Sequence, residues 1–492
     1  MSLHEYRRPT RDALLTIHSM VGYGYNRYYK HMILEKMENA FMPGDPVLDL
    51  AATGKNGSAT GVLTLSEDEK KREHWVLRDE QTTIDGIVDG SIRGQYYLLV
   101  GEKGTGKSSM LIGAMAKIDG EGCAMLDAHA DPEIFRIRMG KALDFEFHED
   151  NIGALFSIRG PRDASALLDI ERAFNKLEKV AMRRRQKVGK PLILIFNSMH
   201  LVRDDEAGRD LLELLQQKAE QYAASNLATF IFNSDDYWIY ERLKQYATRM
   251  NVIPILDLNK PKAISALANY RKKYRNEDTE YGLLEQVYDK VGGRLSYLGR
   301  VAKTTDMIKT AEQICRMEKT WFLTQCGILG TEMDDDVMDQ QKYASAAMVL
   351  AKALVDMEKE MEQTYDPERG HVLPQLPLHE AREVMTRADF IQKYDAINLF
   401  TIDSNAMVRA DSVPMMNAFR EICAVEGFEQ FLEDTLERIS DIESLGRTKE
   451  LTIKDLWEGG KYDVTMFDTR GRETGRIQFA VAEKPEEEEK EG

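Results

Sequence analysis

The run Gly101-Glu102-Lys103-Gly104-Thr105-Gly106-Lys107-Ser108 constrains the fold more than any other part of this sequence. An apolar stretch, Tyr96–Val100, precedes it, and a helix-forming stretch, Lys107–Lys117, follows. Together they satisfy G-x4-G-K-[ST] in the strand–loop–helix context that gives the motif its meaning. Glycines at these positions let the backbone curl until its N–H groups converge on one point, and the helix start adds partial positive charge there. A polyphosphate suits such a cradle. Lys107 has the length to reach β- and γ-phosphates, and the Ser108 hydroxyl is placed to ligate Mg²⁺. The candidate nucleotide-binding residues are these eight, Ser109 and, further along the chain, Arg294. Ser108 is the candidate metal ligand, and ATP and Mg²⁺ are the implied cofactors.

Around this loop, residues 81–260 alternate short apolar runs (96–100, 123–126, 192–196, 229–232 and 252–256) with helical patterns (107–117, 132–143, 164–184, 208–224 and 237–246). Such alternation predicts an α/β nucleotide-binding core: a parallel sheet covered by helices on both faces. Residues 1–80 read as a helical leader, with helical spacing at 28–41 and a small-residue loop at 51–61. Residues 261–335 read as a helical lid, with patterns at 261–273, 279–290 and 295–326. Residues 340–450, with a linker of three prolines at 365–377, read as a mostly helical domain whose 376–421 stretch has a winged-helix pattern. Residues 451–482 read as a β-hairpin turning at 469–475, and residues 483–492, with six Glu and two Lys, as a solvated acidic tail.

Downstream of the loop, the strand at 192–196 leads into Asn197-Ser198-Met199-His200. A Walker B strand is expected here, ending in an Asp that holds the Mg²⁺ water shell and an acidic residue that activates water. Asn197 and Ser198 stand at those positions, so slow hydrolysis is expected and binding is not threatened. Asp127, or one of Asp235 and Asp236, is an alternative source of the carboxylate. The next strand ends at Asn233, which fits a residue orienting water near the γ-phosphate. Arg249 sits just before the following strand. Gly292-Gly293-Arg294 opens a helix, with Arg294 positioned to sense nucleotide from the lid.

This order of elements resembles the AAA+ superfamily of P-loop ATPases, within it the archaeal-type ATPase, origin-recognition and STAND branch. The resemblance covers about residues 79–310 and implies an αβα core, a helical lid and a winged helix. It also implies that Arg249 reaches the nucleotide of a neighbouring subunit, so self-association, including a ring, is expected. Asn233, Arg249 and Asn197 are then the candidate catalytic residues. The function implied is an ATPase whose nucleotide state is coupled to lid closure, oligomer assembly and partner binding. The alternative is an ATP-stabilised scaffold that hardly hydrolyses.

The balance of 66 basic and 83 acidic residues, net −17, argues against a DNA-binding initiator and against any protein that coats nucleic acid. The candidate recognition helix at 386–395 sets Arg387 and Lys393 against Asp389 and Asp395, so it favours protein docking. The basic run 183–187 reads as a solvated helix end. His129, His148, His200, His371 and His379 show no metal-binding spacing, and Cys123, Cys315, Cys326 and Cys423 form no CxxC pair. Buried thiols in a reducing compartment follow, the cytoplasm first and an organelle matrix as the alternative.

Overall fold

The computed structural model describes residues 11–56, 78–145, 165–447, 460–467 and 471–481 of the 492-residue chain. They fall into two compact units. One runs to Thr324 and resumes from Val349 to Ala424; the other joins Gln325–Met348 to the chain from Val425 onward.

The first unit is built on a five-stranded sheet: β1 (Tyr96–Val100), β2 (Cys123–Asp127), β3 (Leu192–Asn197), β4 (Ala228–Ser234) and β5 (Met250–Pro254). The order is β2-β3-β4-β1-β5, and every pairing is parallel. β1, β3 and β4 are buried along their whole length, as strands covered on both faces must be. The two-residue pleat sorts their side chains. One face carries Tyr96, Phe196, Phe230 and Phe232 into a core with Phe174 and Leu215; the other carries Tyr97, Leu99, Ile195 and Ile231 against Leu111 and Ile84. Met37 and Phe41, at the end of the leader helix Arg11–Asn39, are fully buried in the aromatic core. Local chemistry sets the helix ends. Ser165 caps Ala166–Val188 by accepting from the Leu168 N–H, and Gly189 at φ +78° stops it.

Three readings need correction, the third of them further along the chain. The small-residue loop expected at 51–61 is helical as far as Asn56, within Pro46–Asn56; its remainder lies outside the described residues. Asp45, which accepts from the Val47 N–H, and Pro46 form a helix start that outweighs the small residues. The helix expected across 295–326 is two, Leu295–Lys303 and Met307–Cys326. Thr304 is extended and Asp306 accepts from the Lys309 N–H, which restarts the chain.

With Lys260–Arg275 and Tyr281–Val291, these helices enclose their own core around Leu267, Val287, Leu298 and Val301. Beyond them, strands Leu376–Pro377, Phe400–Ile402 and Met407–Ala410 form an antiparallel sheet with Met407–Ala410 in the middle. Leu378–Met385, Ile391–Ala396 and Val413–Cys423 are its helices. The helix expected at 386–395 is shorter because Thr386, at φ +56°, ends the preceding helix instead. In the second unit, Phe428–Arg447 packs Ile439 and Ile442 on Met333, and Lys461–Phe467 pairs with Glu473–Ala480 as a hairpin. The acidic tail, His148 and residues 468–470 of the expected turn lie outside the described residues.

Candidate functional site

Because all five strands run the same way, their C-terminal ends share one edge, where open α/β sheets place ligands. The phosphate-loop motif leaves β1 there. Gly104 and Gly106 sit at φ +86° and +102°, open to glycine at little strain. A Cβ at Gly101 would collide with the Ile255 carbonyl oxygen, and one at Gly104 with Ser296. Lys107 opens the following helix with its side chain only 4% exposed. Its Nζ donates to Gly101 O at 2.7 Å and Glu102 O at 2.9 Å, and pairs with Asp235 Oδ1 at 2.7 Å. Lys103 and Ser109 are exposed.

The strand ends bring three expected residues together. Ser108 Oγ donates to Asn197 Oδ1 at 2.8 Å; Asn233 Nδ2 donates to that oxygen at 2.5 Å and to Ser108 Oγ at 3.0 Å. Asn233 Oδ1 is buried with no hydrogen-bond partner among the described residues. Ser108, Asn197 and Asn233 thus offer hard oxygens of the type Mg²⁺ takes beside a phosphate, so the residue set fits the ion, with an amide where a carboxylate is usual. Asp127 joins the group by accepting from Asn197 Nδ2 at 2.5 Å. Among the described residues, no cluster of three or more His, Cys, Asp or Glu side chains is arranged to hold a metal without phosphate.

Beyond Asn197, Ser198 takes a left-handed conformation, φ +56°, and turns the chain into Met199–Leu201. His200 Nδ1 then lies 3.8 Å from Asp235 Oδ2. Burial pushes the His200 imidazole below its ordinary value, against the pull of Asp235. Asp236 is pushed up to about 7, by burial first and by Asp235 next.

Two expected residues are placed differently from the loop. Arg294 lies beside Gly104, yet its guanidinium is turned to acidic partners: Nε donates to Asp257 Oδ1 at 2.9 Å and Nη1 to Asp411 Oδ2 at 2.7 Å. Asp411 is pushed up to about 6 by burial, with Arg294 opposing. Arg249 precedes β5 at the opposite edge of the sheet, where the Tyr96 N–H donates to its carbonyl. Its side chain is half-exposed and 4.0 Å from Glu220. Within one chain Arg249 is therefore not part of the phosphate-loop site.

Local spacing missed several residues that hold the loop. Arg78 donates to Thr105 O at 2.7 Å and to Leu256 O at 2.8 Å. Arg409, from the middle winged-helix strand, pairs with the buried Glu102 carboxylate, whose second oxygen has no partner among the described residues. The Ser296 N–H, at the start of the helix Leu295–Lys303, donates to Gly104 O at 3.1 Å.

With this geometry, comparison with known proteins is direct. Residues 74–231 match the family model of the AAA ATPase domain. The chain therefore carries an AAA ATPase domain. Residues 324–443 match the C-terminal winged helix domain of fungal AAA proteins. Among solved structures, the chain is similar to the Walker-type ATPase of Pyrococcus abyssi, at 13% identity and TM-score 0.45, over 71% of this chain and 97% of that one. It is also similar to Cdc6p from Pyrobaculum aerophilum, at 11% identity and TM-score 0.33, over 72% and 98%. The ORC2 protein of Aeropyrum pernix is similar at 10% identity and TM-score 0.38, over 76% and 98%. No curated protein matches the sequence. The chain thus combines an ATP-binding AAA ATPase domain with a winged helix domain, and among its described residues no helix is long and apolar enough to cross a membrane.

Proposed function

We propose that this AAA+ ATPase is a slow nucleotide-driven switch, in which ATP seated on Gly101–Ser109 repositions the lid and the winged helix. The observation that carries this reading is how the loop is tied. Lys107 is committed to Asp235, Glu102 to Arg409, and Gly104 O to the lid residue Ser296. A triphosphate approaching Lys107 competes with Asp235 for the same ammonium. Any adjustment of the loop is felt at Arg409 and Ser296, because both hold its backbone or its buried carboxylate. Arg294, between Asp257 and Asp411, links the lid start to the winged helix and is the proposed nucleotide sensor.

Bound Mg²⁺ would supply charge neutralisation at the phosphates, and Ser108 with Asn197 would hold it. Asn233, hydrogen-bonded to both, would orient the attacking water. Asn197 brings no charge and Ser198 is a weak base, so turnover is expected to be slow. Arg249 is exposed and loosely paired, which leaves it available to a neighbouring subunit in a nucleotide-dependent assembly. Ring assembly, protein partners and the domain limits given above belong to the same proposal. Two measurements test it. Size-exclusion chromatography should show assembly with ATP that is weakened in Arg249→Ala. Phosphate release should be slow and should fall further in Asn233→Ala.

A second reading, an ATP-stabilised scaffold without turnover, is favoured by the network around Ser108, whose hydroxyl bonds two amides and no carboxylate. It predicts ATP-dependent thermal stabilisation with no phosphate release above background.

A further inference from the structure

An uncharged amide, Asn197, stands where a metal would be held by charge, and the nearest charge is directly behind it. β2 and β3 are parallel neighbours with Asp127 opposite Asn197, each the last residue of its strand. The two side chains meet at 2.5 Å, Asn197 Nδ2 donating to Asp127 Oδ1. A carboxylate only accepts hydrogen bonds, so the amide must turn its NH₂ toward Asp127. Its oxygen then faces the other way, onto Ser108 Oγ at 2.8 Å and Asn233 Nδ2 at 2.5 Å. An N–H donated to an anion also draws electron density onto the amide oxygen, since hydrogen bonds in series polarise one another.

We propose that Asp127 is a positioning residue for the metal: acting through Asn197, it aims and polarises an amide oxygen at the Mg²⁺ that Ser108 would ligate. The negative charge of the site has moved one strand outward, from β3 to β2, with the amide as relay. This rests on the reading of Gly101–Ser109 as an ATP·Mg²⁺ site. Asp127 is exposed. Changing it removes nothing from the core.

The test compares ATP affinity in excess Mg²⁺ with ATP affinity in EDTA, for the full chain, by calorimetry. The ratio of the two reports the metal and not the phosphate loop. Asp127→Asn and Asp127→Ala should lower that ratio about 10- to 100-fold, the usual effect of losing an outer-shell partner, and leave affinity in EDTA unchanged. Asp127→Asn combined with Asn197→Asp, which returns the charge to β3, should restore the ratio. Asp127→Glu, which keeps a carboxylate beside the Asn197 amide, should retain most of the ratio, and a loss equal to that of Asp127→Ala would overturn the proposal. An unchanged ratio in both Asp127 variants overturns the proposal, and so does an equal loss with and without Mg²⁺, which marks a purely structural contact. Wild-type protein that binds no ATP in EDTA or in Mg²⁺ overturns the phosphate-loop reading itself, and the relay with it.

Discussion

Asp235 occupies the ammonium that a triphosphate needs, so removing its charge should strengthen ATP binding. The pair is 2.7 Å long, with side chains 4% and 17% exposed. Coulomb attraction at that distance is about 6 kcal/mol at an effective dielectric near 20. Desolvation of both ions offsets much of it, and a hydrogen bond to a charged group contributes about 1.5–3 kcal/mol net. Asp235→Asn keeps the shape and an acceptor oxygen, so the lower end applies. ATP affinity should rise about tenfold, the equivalent of about 1.4 kcal/mol. The ligand-free protein should lose stability of the same order, because Gly101 O and Glu102 O still hold the ammonium. Titration calorimetry with ATP and a thermal melt without it measure the two sides. An unchanged or weaker affinity would refute the competition, and would mean that Asp235 serves the bound state instead.

Asp236 gives a pH signature. Its carboxyl is raised from the ordinary 3.8 to about 7, by burial first and by Asp235 next. A group raised on folding contributes stability that is full below its unfolded value and lost as pH rises through its folded one. Wild-type stability should therefore fall by on the order of a few kcal/mol between about pH 4 and 7, and Asp236→Asn should flatten that part of the melting-temperature profile. Arg409→Ala leaves the Glu102 carboxylate buried without its cation and should cost about 3–5 kcal/mol in denaturant unfolding. Adding Glu102→Gln should recover much of the loss, and strictly additive effects would show that the pair is not coupled.

Contiguous patterns were legible before any coordinates. The helix Lys107–Lys117 and strand β1 begin and end where their residues indicate, because the glycine run punctuates one and starts the other. The parallel sheet followed from alternating apolar runs, and parallel strands then bring Ser108, Asn197 and Asn233 together at one edge. What escaped depends on distance in the chain. Arg409 reaches Glu102 across 307 positions and Asp411 reaches Arg294 across 117, and neither carries a local signal. Asp127 is legible as an alternative carboxylate at a strand end; its contact with Asn197 is a matter of register. The break at Thr304–Asp306 and the helix start at Asp45-Pro46 were within reach, since both are capping patterns overridden by a reading of periodicity and residue size.

Everything proposed for this chain rests on Lys107 and the loop around it receiving a triphosphate. Calorimetric titration of ATP into wild type and Lys107→Ala tests that most directly. Saturable binding by wild type and its loss in the variant, with the fold retained by circular dichroism, is the expected result. Equal affinity in the two proteins, or no heat in either, would contradict it.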